Sequence, residues 1–411
     1  MTVMTPASVT PANDVASLDA MLAEPIERAR LRERATFDDA ARERAGRIVL
    51  FGAGGLGRRT LAGLRAAGVE PLAFADNRAG SHGSTVDGVE VLAPEDASAR
   101  FGADAVFVVT IWGAGSTHRF AHSRDQLTAL GCDCVVPAAW LFWRHAEQLL
   151  PFYALDLPSR LLEQGTEVRR CYESLADERS RAEYVAQVRW RLTGDPGGLA
   201  HPVGEAQYLV TDVAVPVDGD VVLDCGAYDG DTLRSWMAVR GPSFREYVAM
   251  EPDPQSRARL AACVAAMDDG LRQRVRVLPY SVGGRTGIAT FSASGSLSSS
   301  LGEGGGIEVE CVRLDDLRDE LGGASPTFVK VDIEGAELDA LAGAASLVRE
   351  CRPMIAIAAY HRQDHLWRVP LAVRALWPGY ALFLRPHNEE GWDLILYAVP
   401  PDRVPGRRAA T

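Results

Sequence analysis

The sequence predicts an α/β protein built from two tandem Rossmann-like domains, and three observations lead there. Gly52-Ala-Gly-Gly-Leu-Gly57 follows the apolar run Arg47-Ile-Val-Leu-Phe51 and opens a helical pattern, and Gly226-Ala-Tyr-Asp-Gly230 does the same after Val221-Val-Leu-Asp-Cys225. Each loop is followed by an acidic residue at the end of the next apolar run, Asp76 in the first case and Glu251 in the second. Short β-branched runs alternate with longer helical stretches, the pattern of parallel sheets covered by helices.

The elements follow in order. Residues 1–45 comprise a small, polar, proline-containing start (1–17), expected to be disordered, and a charged helix from Leu18 to Arg44. Residues 46–140 form the first domain, with five expected strands at Arg47–Phe51, Pro71–Ala75, Val89–Leu92, Ala105–Thr110 and Asp133–Val136. Residues 141–207 are rich in Trp, Phe, Leu and Arg and read as a helical linker between the halves, broken at Gly194-Asp-Pro-Gly-Gly198. The second domain spans 208–400, and 401–411 read as a disordered tail. Within it, Thr327–Asp332 and Pro353–Ala359 are its fourth and fifth strands, and Tyr380–Arg385 and Asp393–Val399 form an antiparallel pair around Pro386-His-Asn-Glu-Glu-Gly-Trp392. The Ser/Gly-rich run Ser292–Gly306 reads as a mobile loop over the site.

Composition narrows the function classes. With 411 residues, 47% of them hydrophobic, the chain can bury two separate cores. A formal charge of -12 argues against a phosphate-backbone partner, since nucleic-acid binding normally needs a basic face. No apolar run has the length of a membrane span and no basic segment precedes an apolar signal core, so a cytoplasmic location is expected. The seven cysteines lack framework spacing and read as reduced thiols, with Cys132 and Cys134 as alternating positions of one strand. Lys330 is the only lysine among otherwise uniform arginine, a bias that reflects a GC-rich bacterial genome, and it stands two positions before Asp332.

Gly52, Gly54 and Gly57 with Asp76 make a G-x-G-x-x-G fingerprint in its proper strand-to-helix context. It is compatible with an NAD(P)-dependent oxidoreductase, with a nucleotide or nucleotide-sugar site, or with a degenerate domain that positions or dimerises the chain. Gly52 through Arg58, Asp76-Asn77 and Gly88-Val89 resemble the N-terminal domain of sugar acyltransferases of the PglD type. Trp112, just after the fourth strand, is placed to stack on a base or sugar.

The second loop differs from a dinucleotide fingerprint in its acid content. Asp224, Asp229 and Asp231 crowd one turn, a poor place for a pyrophosphate and a suitable one for the ammonium and sulfonium charges of S-adenosylmethionine. Gly226 and Gly230 let the backbone approach a ligand, the helix from Thr232 turns its amides toward it, and Glu251 can accept from both ribose hydroxyls. Asp224-Cys-Gly-Ala-Tyr-Asp-Gly-Asp-Thr232, Glu251-Pro-Asp-Pro254, Leu314-Asp-Asp-Leu317 and Val329-Lys-Val-Asp-Ile-Glu-Gly-Ala-Glu337, in that order, resemble the FkbM-type S-adenosylmethionine-dependent methyltransferases over residues 208–400. The resemblance implies a seven-stranded class I methyltransferase fold and transfer of a methyl group to an oxygen, on a sugar or natural product. Asp224, Gly226, Ala227, Tyr228, Asp229, Gly230, Asp231, Thr232, Glu251, Pro252 and Ser281 are the expected donor-binding residues.

The reacting groups belong at the carboxyl ends of the strands. Methyl transfer from a sulfonium is an in-line displacement, so the protein mainly aligns the acceptor oxygen and removes its proton. Asp332 and His361 are the expected catalytic residues, with Asp364 fixing the imidazole tautomer. His365 is expected on a helix, away from that role. Glu337, near a helix start, reads as a partner of the helix dipole. Glu334, Arg385, His387 and Trp392 are expected to meet a small-molecule or glycan acceptor. Asp332, Glu334 and His361 together also permit an oxygen-preferring ion of the Mg2+ type. Members of the resembled family often carry an acid after strand five; here Ile355-Ala-Ile-Ala-Ala-Tyr-His361 has none, which leaves proton acceptance to His361 or to the strand-four acids.

Overall fold

The computed structural model describes residues 11–113, 117–292, 300–301, 307–317, 321 and 324–406. Two helices, α1 (Pro11–Leu22) and α2 (Ile26–Ala41), open the chain. The first begins inside the stretch expected to be disordered, and Pro25 divides what reads as one charged helix, because proline cannot donate to a continuous ladder.

The first domain is β1 (Ile48–Phe51), α3 (Gly55–Ala66), β2 (Ala73–Ala75), β3 (Thr85–Val86), β4 (Val89–Leu92), α4 (Pro94–Phe101), β5 (Val106–Val109), α5 (Phe120–Ala129) and β6 (Val135–Pro137). Its sheet has order β3-β4-β2-β1-β5-β6, parallel except for the β3–β4 hairpin, which adds a strand to the five expected. Every residue of β1 is buried because both faces are covered. Leu50 packs toward α2 and the linker, with Phe37 and Phe142; Val49 and Phe51 pack toward the opposite layer, with Phe101 and Leu127.

Between the two sheets the chain forms α6 (Ala138–Arg144), α7 (Ala146–Leu149), α8 (Pro158–Leu162), α9 (Gly165–Ser174) and α10 (Glu178–Thr193). Asp177 caps α10 by accepting from Ser180 N, and Gly194 ends it in the left-handed conformation.

The second domain contains β7 (Asp220–Cys225), α11 (Asp231–Arg240), β8 (Phe244–Met250), α12 (Pro254–Ala265), α13 (Asp269–Arg272), β9 (Val275–Leu278), β10 (Ser281–Val282), β11 (Gly287–Ser292), β12 (Ser300–Leu301), β13 (Ile307–Val312), β14 (Phe328–Val331), α14 (Glu337–Gly343), α15 (Ala345–Cys351), β15 (Met354–Ala358), α16 (His365–Leu376), β16 (Ala381–Pro386) and β17 (Leu394–Val399). Seven of these strands form one sheet of order β16-β17-β15-β14-β7-β8-β9, with the final hairpin antiparallel as expected. A separate sheet of order β10-β13-β11-β12 flanks it. Most of the run Ser292–Gly306 lies outside the described residues. The order reverses between β14 and β7, so their carboxyl ends open the crevice in which such sheets bind ligands.

Of the residues expected as a free tail, Arg403 and Val404 are buried against the domain. Arg403 is buried, pairs with Asp220 at 3.0 Å, and its carbonyl accepts from Val215 N. No helix among the described residues is long and apolar enough to cross a membrane.

Candidate active site

The loop after β7 lies directly over the ends of its neighbours. Gly226 has φ +81°, and a Cβ there would stand 1.9 Å from the Asp332 carbonyl oxygen, so no other residue fits this approach. Gly226 N and Ala227 N both donate to Met250 O at 3.0 Å, which ties the loop to β8. Tyr228 also takes a positive φ, +46°, and Gly230, at +89°, starts α11. Glu251 is the hub of this arrangement: Oε2 accepts from Tyr228 N at 2.8 Å and Oε1 from Asp253 N at 2.7 Å. Each oxygen has capacity for a further donor. Burial pushes its carboxyl up to about 7, against the favourable backbone donors. Asp253, after Pro252, caps α12.

The three acids of the loop part company. Asp224 is wholly buried, its Oδ1 3.1 Å from Lys330 Nζ and its Oδ2 accepting from Tyr247 OH at 2.7 Å, so it does not reach a ligand. Lys330 faces Asp224 in strand register and donates to the Cys225 and Gly226 carbonyls, fastening the loop from below. Asp229 pairs with Arg234 at 2.6 Å, whereas Asp231, whose carboxylate accepts from Thr232 N, stays exposed. Ser281 lies in the flanking sheet, just beyond the carboxyl end of β9, and its hydroxyl donates to Glu310 O at 3.2 Å.

Opposite the loop, Asp332, Glu334, Glu337 and His361 converge. Asp332 follows β14, and its Oδ2 accepts from Tyr208 OH at 2.5 Å. The turn after it places Glu334 at φ +55° and Gly335 at φ +106°, and Glu334 accepts from Tyr153 OH at 3.1 Å. Such left-handed non-glycine residues gather round this site: Tyr153, Tyr208, Glu334, Glu390 and Asp393. Glu337 is fully buried; its Oε1 lies 2.7 Å from His361 Nδ1 and accepts from the Ile333 and Gly335 amides, and its Oε2 lies 3.1 Å from His365 Nδ1. It therefore does much more than complement a helix dipole. The imidazole of His361 points its Nε2 at Asp332 Oδ1, 3.3 Å away, and Glu334 Oε1, 3.8 Å away.

Electrostatics revises the expected role of His361. Burial works against its charged form, but Glu337, with Glu334 and Asp332, outweighs burial and raises the imidazole to about 10. Glu337 is held well below its ordinary range, burial being overcome by His361 and His365. The ring is thus an imidazolium at neutral pH and is not poised to accept a proton. Asp364 does not orient it: its carboxylate pairs with Arg368 at 2.8 Å, one helical turn on, and Glu337 takes that part.

The expected acceptor contacts also divide. Trp392 lies beside the cluster, its ring 4.5 Å from Tyr153 and 5.5 Å from Tyr360, and its buried Nε1 has no hydrogen-bond partner. Arg385 is buried among Asp177, Asp212 and Ser180, where it fastens the linker to β16 and cannot meet an acceptor. His387 is likewise engaged, 2.7 Å from Tyr397 OH, and burial pushes its ring down to about 4. Tyr153 and Tyr208 escaped the sequence reading because each lies outside a motif; their φ values of +47° and +69° are visible only in three dimensions.

In the first domain, a Cβ on Gly57 would stand 2.0 Å from Gly52 O, so this glycine serves close helix–strand packing. Gly54 precedes α3. Asp76 is filled from within: Oδ2 accepts from Ala53 N at 2.8 Å, Oδ1 from Arg78 N at 2.8 Å, and the Arg78 guanidinium closes over both. Trp112 is packed, 4.9 Å from Trp392 between ring centroids, and donates to Glu390 O at 3.0 Å. With Arg119 paired to Glu389 at 2.9 Å, it joins the carboxyl edge of the first sheet to the β16–β17 loop.

Comparison with known proteins agrees with this geometry. Residues 224–384 match the methyltransferase FkbM domain. The 2-O-methyltransferase NoeI of Sinorhizobium fredii is 28% identical over 201 residues, 43% of this chain and 78% of that protein. A crystal structure of a methyltransferase FkbM from Methylobacillus flagellatus KT superposes with a TM-score of 0.72 at 22% identity, covering 95% of this chain and all of the other, so the fold of both domains is shared. Residues 224–384 of this chain thus match a methyltransferase FkbM domain, set in a chain whose fold is shared with a solved methyltransferase.

Proposed function

We propose that the protein transfers the methyl group of S-adenosylmethionine to a hydroxyl of a sugar or glycosylated natural product. The observation that carries the donor assignment is Glu251, a carboxylate at the end of β8 whose two oxygens each hold one backbone amide and keep room for one ribose hydroxyl. Gly226, Ala227, Tyr228 and Gly230 wall the donor, and Asp231 and Thr232 lie at the mouth. Asp224 supports the loop through Lys330.

The acceptor side is a set of carboxylates, Asp332 and Glu334, beside the aromatic surfaces of Tyr153, Tyr360 and Trp392. That combination suits a sugar, whose C–H face packs on aromatic rings while its hydroxyls bond to polar groups. NoeI carries 2-O-methyltransferase in its name, which supports an oxygen acceptor here. In the transfer the acceptor oxygen bonds to the methyl carbon as the carbon–sulfur bond breaks, the electron pair returns to sulfur, and S-adenosylhomocysteine leaves. The hydroxyl proton passes to Asp332 or Glu334, the carboxylates that follow β14, while His361, held by Glu337, positions them. The test is calorimetric titration with S-adenosylhomocysteine, then a screen of glycan acceptors for methylated product by mass spectrometry. Absence of homocysteine-product binding in the folded protein overturns the donor assignment.

A further inference from the structure

We propose that Asp332, Glu334 and His361 bind a divalent metal ion that accepts mixed nitrogen and oxygen ligands, of the Mn2+ or Zn2+ class. Two independent observations carry this. Among the described residues, Asp332, Glu337 and His361 form a cluster whose ligand atoms lie within 4.8 Å of one another. The His361 side chain is only 1% exposed, yet its Nε2 has no hydrogen-bond partner and is aimed between two carboxylates, so that an ion bound there takes the place of the proton this nitrogen carries in the metal-free protein and releases it to solvent.

Geometry selects the ligand set within this cluster. Ligand bonds of about 2.1 Å put neighbouring donor atoms about 3.0 Å apart at a right angle and about 3.4 Å apart at a tetrahedral angle. Nε2 stands 3.3 Å from Asp332 Oδ1 and 3.8 Å from Glu334 Oε1, so the first pair already has the required spacing and Glu334 must move closer to supply the second. Glu337 belongs outside this shell. Its Oε1 holds the opposite ring nitrogen, Nδ1, at 2.7 Å and also takes two backbone amides. A carboxylate on the distal nitrogen of an imidazole is the arrangement that orients metal-bound histidines. The left-handed Glu334, at φ +55°, turns its carboxylate back toward the imidazole at a cost in backbone strain. Imidazole in the set favours Mn2+ or Zn2+ over the Mg2+ expected from the carboxylates alone.

This inference deepens the proposed function, since the ion adjoins the acceptor side, but ion binding stands apart from methyl transfer. The experiment uses the full chain, treated with chelator and dialysed, titrated calorimetrically with MnCl2, ZnCl2 and MgCl2, with S-adenosylhomocysteine binding measured on the same samples. One equivalent of Mn2+ or Zn2+ is expected, with Mg2+ at least tenfold weaker. Asp332→Asn and Glu334→Gln each weaken Mn2+ at least tenfold, and Glu337→Gln does so by roughly ten- to a hundredfold through the ring. Circular dichroism and thermal unfolding establish that each variant is folded; Glu334, with a side chain 18% exposed, is the safer probe should Glu337→Gln fail to fold. Lack of saturable Mn2+ or Zn2+ binding at millimolar concentration, in protein that binds S-adenosylhomocysteine, overturns the inference and leaves a buried ion-pair cluster. Undiminished binding in both Asp332→Asn and Glu334→Gln also overturns it, by placing the ion elsewhere. Ion binding lost in those variants, in protein that does not bind S-adenosylhomocysteine, upholds the metal site and defeats the donor assignment instead.

Discussion

Replacing Glu251 with alanine isolates the donor site. The carboxylate holds Tyr228 N and Asp253 N at 2.8 and 2.7 Å and, in the proposed complex, two ribose hydroxyls. Hydrogen bonds to a charged acceptor contribute about 1.5–3 kcal/mol each. Loss of the two ribose bonds therefore costs about 3 kcal/mol or more, which is upward of a hundredfold in the dissociation constant of S-adenosylhomocysteine. Fold stability should change less, because the substitution also removes a desolvated carboxyl whose titration is pushed up to about 7. That titration adds a second signature. A group titrating near 7 is about one-tenth ionised at pH 6 and about nine-tenths at pH 8, so wild-type affinity should rise by up to about tenfold across that interval. In Glu251→Ala the pH dependence should flatten. Calorimetry at both pH values, with circular dichroism as the folding control, reads both effects. A dissociation constant within threefold of wild type in a folded Glu251→Ala protein refutes the assignment of Glu251 to the ribose.

Other perturbations test the supports of the site. Lys330→Met strands the buried Asp224 carboxylate without its partner at 3.1 Å and should destabilise the protein by about 3–5 kcal/mol, read by denaturant unfolding; a loss below about 1 kcal/mol refutes the pairing. Gly226→Ala drives a Cβ to 1.9 Å from Asp332 O at a positive φ, so the loop must move; donor affinity should collapse while far-UV circular dichroism stays native, and unchanged affinity refutes the close approach. Glu390 is buried and, like Glu251, raised to about 7 by burial. The folded state then holds a proton that the unfolded chain has released, so this contribution to stability is present below pH 4.5 and is lost as pH rises through about 7. Against Glu390→Gln, the wild type should lose about 2–3 kcal/mol between pH 4.5 and 7.5, measured as unfolding free energy. A parallel pH profile for the two proteins refutes it.

Much of the architecture was legible in the linear chain. Apolar runs such as Ile48–Phe51 and Val221–Leu223 mark strands covered on both faces, and glycines at Gly52, Gly57 and Gly226 mark where backbone passes backbone. These are local signals, written in residue type and spacing. Asp332 and His361 were legible for the same reason, since each follows a strand whose carboxyl end must face the crevice. Side-chain partnership was not legible, because it depends on which groups the folded chain brings within a few ångströms. Asp224 and Asp231 look alike in sequence, yet one is buried against Lys330 and the other is exposed. His361 reads as a base until Glu337 is found against its Nδ1, and Asp364, three residues away in the chain, turns to Arg368 instead. Tyr153 from the linker and Tyr208 from the lead-in to β7 reach Glu334 and Asp332 across 181 and 124 residues of sequence, respectively. The periodicity of apolar residues settles strands and helices because burial acts on each segment separately, whereas charge state, orientation and orphaned polar atoms are properties of neighbours, and only the folded chain chooses those.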